Sequence, residues 1–468
     1  MLASKVGVNS SLDQMSDLHL IDMQTQLHPF TDARVHAEQG ALIIERGDGI
    51  YVIDSDGKRY IEGMSGLWSV AVGFNNKRLV EAATKQLDKL PYYHQFINKT
   101  LSPCIQLSEK LLQIAPIPMS KVFLANSGSE ANDTAVKLVW YFNNSKGQAQ
   151  KKKIISRKNG YHGITVAAAS LTGLPTTHKA FDLPLPGFLH VNGPLVYRDM
   201  RVGESDESYA DRLADELEQV ILREGPETIA AFFGEPVMAA GGVHIPPATY
   251  WQKIQDICRK YDILIVADEV ITGFGRTGSM FGCETYGIKP DILVLSKQIT
   301  SSYQPLSAVL INQRVYEGIA DQSSVIGTFA HGFTGGGHPV AAAVALENIA
   351  IIEEEGLVER ADKMGQLLQK ALRGFESHEL VGNVRGVGLI GAVELVADKG
   401  TKAPFGEPGT LGRYLVARAQ ENGLVLRAIG DSIAFCPPLI ISETEIDQLI
   451  SRFARALDQT AAWYRGKK

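Results

Sequence analysis

Between residues 121 and 312 short apolar runs alternate with amphipathic stretches, and this alternation leaves few folds open. "KVFLANSG" is followed by "SEANDTAVKLVWYF", "KIISRKNG" by "GITVAAASL", and "IAAFFGEP" by "PATYWQKIQDICRKYD"; "ILIVADEV", "DILVLSK" and "LSAVLIN" close the series. The apolar runs suit strands buried on both faces and the amphipathic ones suit helices. The expectation is therefore an α/β fold, a mainly parallel sheet flanked by helices on both sides. Upstream, "ALIIERGDGIYVIDSDGKRYIEGMSG" reads as a small antiparallel unit turning at "DSDG". Downstream, a long helical pattern broken at Gly356 and the helical "GTLGRYLVARAQENG" are mixed with strand-like "VRGVGLIGAVELV", "LVLRAI" and "SIAFCPPLII". The two ends are expected to pack together as a smaller α+β domain, with 1–85 and 337–468 as its two parts and 86–336 as the large domain. The acidic "RVGESDESYADRLADELEQVI" reads as a surface loop leading into an exposed helix.

Composition narrows the function. With 468 residues, 45% hydrophobic and 21% charged, the chain can bury a large core. Its net charge is −6 and its basic residues are scattered apart from "KKK" at 151–153, so no electrostatic footprint for nucleic acid or an anionic membrane is present. Small molecules are the expected partners. The first twenty residues lack the apolar centre of a signal peptide, and no run approaches the roughly 18 apolar residues of a membrane-spanning helix, so a soluble cytoplasmic protein is expected. Cys104, Cys258, Cys283 and Cys436 are widely spaced with no CxxC pair, which suggests neither a disulfide framework nor a metal centre.

Ligands of open α/β sheets bind at the carboxyl ends of the strands, and several polar signals fall there. "DILVLSK" ends on Lys297, where a lysine either snorkels into water or serves chemistry. "FLANSGSEANDTAVKL" turns through Ser127, Gly128 and Ser129 into a helix whose free N–H groups and hydroxyls suit a phosphate, although an ordinary N-cap uses the same residues. "ILIVADEV" ends in Asp268 and Glu269, which strand alternation points in opposite directions, so that one carboxylate faces the site. "RKNGYHG" supplies Tyr161, whose face would cover a flat ring, and His162, able to donate or accept a proton. A phosphate cradle, an aromatic lid, a carboxylate and a lysine amine together describe a site for pyridoxal 5′-phosphate, with lysine as its Schiff-base partner and the carboxylate on the pyridinium nitrogen.

The segments "NSGSEANDTAVKL", "YHG", "GEPV", "ADEVITGFGRTG", "LSKQI" and "GFTGGGHPVAAAVALE" stand in the order and spacing typical of class III aminotransferases, which the chain resembles over most of its length. "GLWSVAVGF", "YHGITVAAASLTG", "LPLPGF", "QITSSYQPLSAVLI" and "LVLRAIGDSIAFCPPLI" resemble the omega-transaminases that move amino groups between amines and pyruvate. The resemblance implies fold type I and a homodimer with shared active sites, or a tetramer of two dimers. It implies Lys297 as the Schiff-base lysine, Asp268 on the ring nitrogen, Ser127, Gly128 and Ser129 at the phosphate, Tyr161 and Val270 on the two ring faces, and His162 and Glu235 beside the cofactor. Thr334 is implied to reach the phosphate of a neighbouring subunit. Trp68, Phe96, Tyr161 and Ile164 are implied to wall the substrate pocket, with Arg427 meeting substrate carboxylates. The three glycines of "GFTGGGHP" depart from the usual family pattern and are expected to loosen that loop.

The expected reaction is a ping-pong transfer of an amino group from an amine or omega-amino acid to pyruvate or a similar oxoacid. The alternatives are another reaction on the same cofactor, as in diamine, ornithine or semialdehyde aminotransferases or a decarboxylase, and a non-catalytic scaffold that has kept the fold. The apolar Trp68, Phe96 and Ile164 favour an uncharged amine donor.

Overall fold

The structure, a computed structural model, describes residues 17–467; most of the N-terminal stretch behind the signal-peptide reading lies outside them. At its centre is a seven-stranded sheet in the spatial order Lys121–Ala125, Ser307–Ile311, Ile292–Leu295, Leu264–Asp268, Ile229–Gly234, Lys153–Arg157, Phe188–Val191. All pairings from Ile292–Leu295 to Phe188–Val191 are parallel, while Ser307–Ile311 runs antiparallel to both neighbours. Four of these strands, Ile229–Gly234, Leu264–Asp268, Ile292–Leu295 and Ser307–Ile311, are buried at every position, which explains their uninterrupted apolar sequences.

Strand alternation divides the core in two. On one face Phe233, Val266 and Val294 pack with Val136, Val139 and Phe142 of the helix Gly128–Ser145. On the other, Phe232, Ile265 and Leu293 belong with Trp251 and Ile254 of the helix Tyr250–Lys260. The acidic helix Asp206–Glu224 corrects the expectation of an exposed helix. It buries Tyr209, Leu213, Leu217, Val220 and Ile221, and only its opposite face is charged.

The two ends of the chain meet. Ile44–Asp48, Tyr51–Asp54 and Arg59–Glu62 form an antiparallel unit, and Arg59–Glu62 also pairs in parallel with Leu424–Val425. A separate antiparallel sheet holds Val381–Val387, Ile390–Leu395, Ser432–Phe435 and Arg427–Ile429 in that order. The helix Lys77–Lys89 runs across the expected boundary at 85/86. Gly356, at φ +57, separates the helices Pro339–Glu354 and Leu357–Arg373 where the sequence break was expected. All four cysteines are free and buried. Among the described residues no helix is long and apolar enough to cross a membrane.

Candidate active site

Because Lys121–Ala125 and the five parallel strands point the same way, their carboxyl ends gather along one edge of the sheet. A pocket there is lined by Gly128 and Ser129 after the first strand, Tyr161 and His162 after Lys153–Arg157, Glu235 after Ile229–Gly234, Asp268, and Lys297 after Ile292–Leu295. Val270, Trp68 and Arg427 complete the expected wall.

Asp268 is fixed from both oxygens. Oδ2 lies 2.8 Å from Nδ1 of His162 and accepts from Nδ2 of Asn132 at 2.9 Å, while Oδ1 accepts from the Val270 N–H at 3.1 Å. Its neighbour Glu269 points the other way and accepts from the Thr272 hydroxyl and the N–H groups of Gly282 and Cys283, as alternation requires. Glu235 accepts from the N–H groups of Tyr161 and Ala239, at 3.0 and 3.3 Å. Desolvation holds the Glu235 carboxyl above its usual range.

Lys297 occupies a left-handed backbone conformation, φ +49, immediately after the strand. Such a conformation is uncommon for a side-chain-bearing residue and persists where surrounding structure holds it. Its neighbour Gln298 is held by Nε2 bonds to the carbonyls of Ile271 (2.9 Å) and Gly273 (2.7 Å), and its Oε1 accepts from Arg276 at 3.0 Å. Arg276, fully buried, also donates to the carbonyls of Leu389 and Pro437, tying the lysine turn to the C-terminal segment. Desolvation lowers the Lys297 ammonium to about 8, against the opposing pull of Asp268 and Glu235. A neutral amine is therefore accessible near neutral pH.

The anion end is the N-terminus of the helix Gly128–Ser145, whose first N–H groups have no intrahelical acceptor. A Cβ on Gly128 would stand 3.2 and 3.3 Å from the two methyls of Val270, so glycine keeps this cradle open. Ser129 Oγ accepts from the Ile164 N–H at 3.0 Å. Ser127 caps the helix by accepting from the Glu130 N–H at 3.2 Å and is not part of the pocket lining, so its hydroxyl does the capping work foreseen as the alternative.

Three other expected residues stand apart from this pocket in the single chain. Phe96 and Ile164 are exposed side chains, and exposed Thr334 offers its carbonyl to the Tyr92 hydroxyl at 2.8 Å. The glycine loop beside Thr334 is pinned and not loose, a correction to the expectation. The Cys104 thiol donates to Gly337 O at 2.9 Å, and a Cβ on Gly336 would meet the Leu124 carbonyl at 2.8 Å. Gly336 serves the close approach of chain segments, and Gly337, at φ +67, takes a left-handed backbone that glycine adopts without strain.

Sequence reasoning passed over Asn132, Phe30 and Leu67, all in the lining. The signal for Asn132 was its spacing four residues beyond Gly128 on one helical face, the same face as the small Ala131 and Ala135. For Phe30 and Leu67 no local pattern marks the pocket.

A fixed carboxylate, an amine of lowered pKa, helix N–H groups open to an anion, and walls of Val270 and Tyr161 fit a phosphorylated aldehyde carrying a basic ring nitrogen. Buried Asn132 Oδ1 and His162 Nε2 in this wall also lack protein hydrogen-bond partners. The sequence pattern of one family, aminotransferase class-III, matches residues 33–457. The chain is a class III aminotransferase. Class III aminotransferases use pyridoxal 5′-phosphate, and the chain has the corresponding α/β fold of type I. A thermostable omega transaminase mutant from Pseudomonas jessenii is 64% identical, with TM-score 0.95, covering 96% of this chain and 100% of its own. The Pseudomonas jessenii omega transaminase in complex with PMP matches with the same identity and TM-score over 96% of this chain and 99% of its own. Gamma aminobutyrate transaminase 3 of Solanum lycopersicum and vanillin aminotransferase of Capsicum chinense are each 47% identical over 93% of this chain, and over 84% and 95% of their own lengths.

Proposed function

We propose that this transaminase takes the amino group of an apolar amine or an omega-amino acid and delivers it to pyruvate or a similar oxoacid in two half-reactions at one pocket, as a homodimer. The observation that carries this reading is Arg427. It lies in a wall shared with Trp68, Leu67 and Phe30, and its guanidinium has no ion pair or hydrogen bond among the described residues. Burial alone lowers its pKa, opposed by nearby Tyr161. An arginine left free on an apolar wall is suited to accept a carboxylate in a bidentate way when one enters, while the wall itself suits an uncharged donor.

When bound, pyridoxal phosphate supplies the carbon that takes up the amino group and a ring that accepts electrons as a proton leaves the substrate. The chain's residues supply the rest. The N–H groups at Gly128 and Ser129 would hold the phosphate, Val270 and Tyr161 would wall the ring, and Asp268 would keep a proton on its nitrogen. Asn132 and His162 keep Asp268 aimed. Lys297, as a neutral amine, takes the proton from the substrate carbon that bears the amino group.

Of these two donor classes the omega-amino acids, gamma-aminobutyrate among them, would use the same free arginine, because they carry a carboxylate too. Single-turnover rates of each half-reaction separate the two. For Arg427→Ala each lost charged hydrogen bond costs roughly 1.5–3 kcal/mol. The pyruvate half-reaction is therefore expected to lose about one to two orders of magnitude in efficiency, with 1-phenylethylamine little changed. Gamma-aminobutyrate losing as much as pyruvate would place omega-amino acid donors on the same arginine. Equal losses for phenylethylamine and pyruvate would remove Arg427 from the substrate site.

A further inference from the structure

Away from the sheet edge, Asp22, His28 and His36 bring one ligand atom each to within 4.8 Å of one another. Asp22 lies on the helix Asp17–Thr25, His28 in the turn that follows, and His36 on the helix Ala33–Gln39. Nε2 of His28 is 2.7 Å from Oδ1 of Asp22. Nε2 of His36 is 3.3 Å from Oδ2 of Asp22, without the geometry of a hydrogen bond, so both of these buried atoms lack a partner. The two imidazoles lie face to face, with centroids 4.1 Å apart and planes 32° from parallel.

His36 is only 6% exposed and aims its unpartnered nitrogen into the cluster. Burying a polar atom without a partner is costly, and such atoms in native proteins call for an occupant or a role. The helices around it give little other reason to stay together. Asp17–Thr25 buries none of its residues, leaving Leu18, Leu20 and Ile21 exposed, and His36 is the one buried residue of Ala33–Gln39. A nine-residue helix without an apolar seat is marginal in water.

We propose that Asp22, His28 and His36 form a binding site for a zinc-type divalent transition ion that clamps the two N-terminal helices. Two imidazoles and one carboxylate are the ligand chemistry of such ions, with the remaining positions filled by water. Calcium and magnesium, which favour oxygen ligands, are disfavoured. Asp22 and His28 are partly exposed, which gives the ion a way in. The clamp has a reach beyond itself. Phe30, at φ +52, sits between His28 and His36 and lines the active-site pocket. An ion joining His28 to His36 closes the loop that carries Phe30 and holds this ring at the pocket mouth.

The test uses the holoenzyme, treated with a chelator and cleared of free cofactor, which itself binds metal ions. Zinc uptake from low-micromolar zinc chloride is counted by elemental analysis, in parallel with magnesium, for wild type, Asp22→Asn and the partly exposed His28→Ala. Wild type is expected to hold one zinc per chain more than either variant and no magnesium. Cobalt in place of zinc should give wild type alone the visible bands of an ordered nitrogen and oxygen site. Zinc should also slow proteolysis within residues 17–40 in wild type and not in Asp22→Asn, a readout that reports the clamp even where a variant loosens the helices. Equal zinc content in all three proteins, or magnesium taken up as readily as zinc, overturns the proposal.

Discussion

Lys297 and Asp268 stand at the carboxyl ends of adjacent strands, and the protein treats their charges in opposite ways. Desolvation strips Lys297 toward a neutral amine, whereas Asp268 receives three hydrogen-bonding partners. With its pKa at about 8, the lysine is mainly protonated below that value. The rate at which cofactor-free enzyme captures pyridoxal phosphate should rise about tenfold per pH unit below it and level off above. Stopped-flow absorbance across that range checks the slope; a flat rate would show that Lys297 is already neutral or is not the group captured. Lys297→Ala should abolish multiple turnover, and retained turnover would remove the lysine from the chemistry. Asp268→Asn should keep the melting temperature nearly unchanged and slow the proton shift by about two orders of magnitude or more, the scale of losing one preorganised electrostatic contact. Single-turnover rates decide it. Both residues were legible in the sequence because a strand's period of two and its apolar run fix where the last side chains point. Asn132 shares a helical face with Gly128, but its role was hidden because its partners Asp268 and His162 come from two other strands whose arrangement no local pattern encodes.

At the scale of the element, the turn Ser65–Trp68 shows what holds a substrate wall in place. Ser65, Gly66 and Trp68 all have positive φ, at 50, 65 and 63°. Buried Glu62 accepts the N–H groups of Met64 and Gly66, and the Ser65 hydroxyl donates to the Cys436 carbonyl at 2.6 Å. Burial pushes the Glu62 carboxyl up to about 8, against the lowering effect of those two N–H groups. Between its ordinary value of 4.5 and about 8 the native state keeps a proton that the unfolded chain releases, so this stabilising effect is full at low pH and is lost as pH rises to about 8. Glu62→Gln lacks that slope. Relative to wild type, the variant should gain on the order of 4 kcal/mol between roughly pH 4.5 and pH 8.5, read by urea denaturation at both. Parallel stabilities would show that Glu62 is ionised throughout. This turn was not legible, for its "MSGLW" carries no helical or strand period. The helix Asp206–Glu224 was legible as a helix, but its acid content masked the apolar stripe at Leu213, Leu217 and Val220.

Across the whole molecule, the central sheet was readable because strands and helices alternate, and even the reversal of Ser307–Ile311 has a local cause. The short connection after Leu295 leaves no room for a helical crossover between parallel neighbours. What a single sequence pattern does not reveal is which far segments complete the pocket, as Phe30 and Leu67 do. Thr334, Phe96 and Ile164 are exposed in the single chain, which is consistent with the proposed dimer, where Thr334 of the partner subunit would meet the phosphate. On dilution, cofactor loss should therefore track dissociation to monomer. Light scattering run beside cofactor absorbance checks this, and a monomer that retains cofactor and full activity would contradict it.

The pairing of Arg59–Glu62 with Leu424–Val425 joins the two ends of the chain just where each contributes a wall, Trp68 from one and Arg427 from the other. The groups assigned to chemistry, from Gly128 to Lys297, lie in one uninterrupted central stretch. Heredity can thus act on the two separately. A recombinant inheriting both ends from one parent and the middle from another would keep its reaction and change its diet, whereas one that inherits a single end receives mismatched halves of the same small sheet.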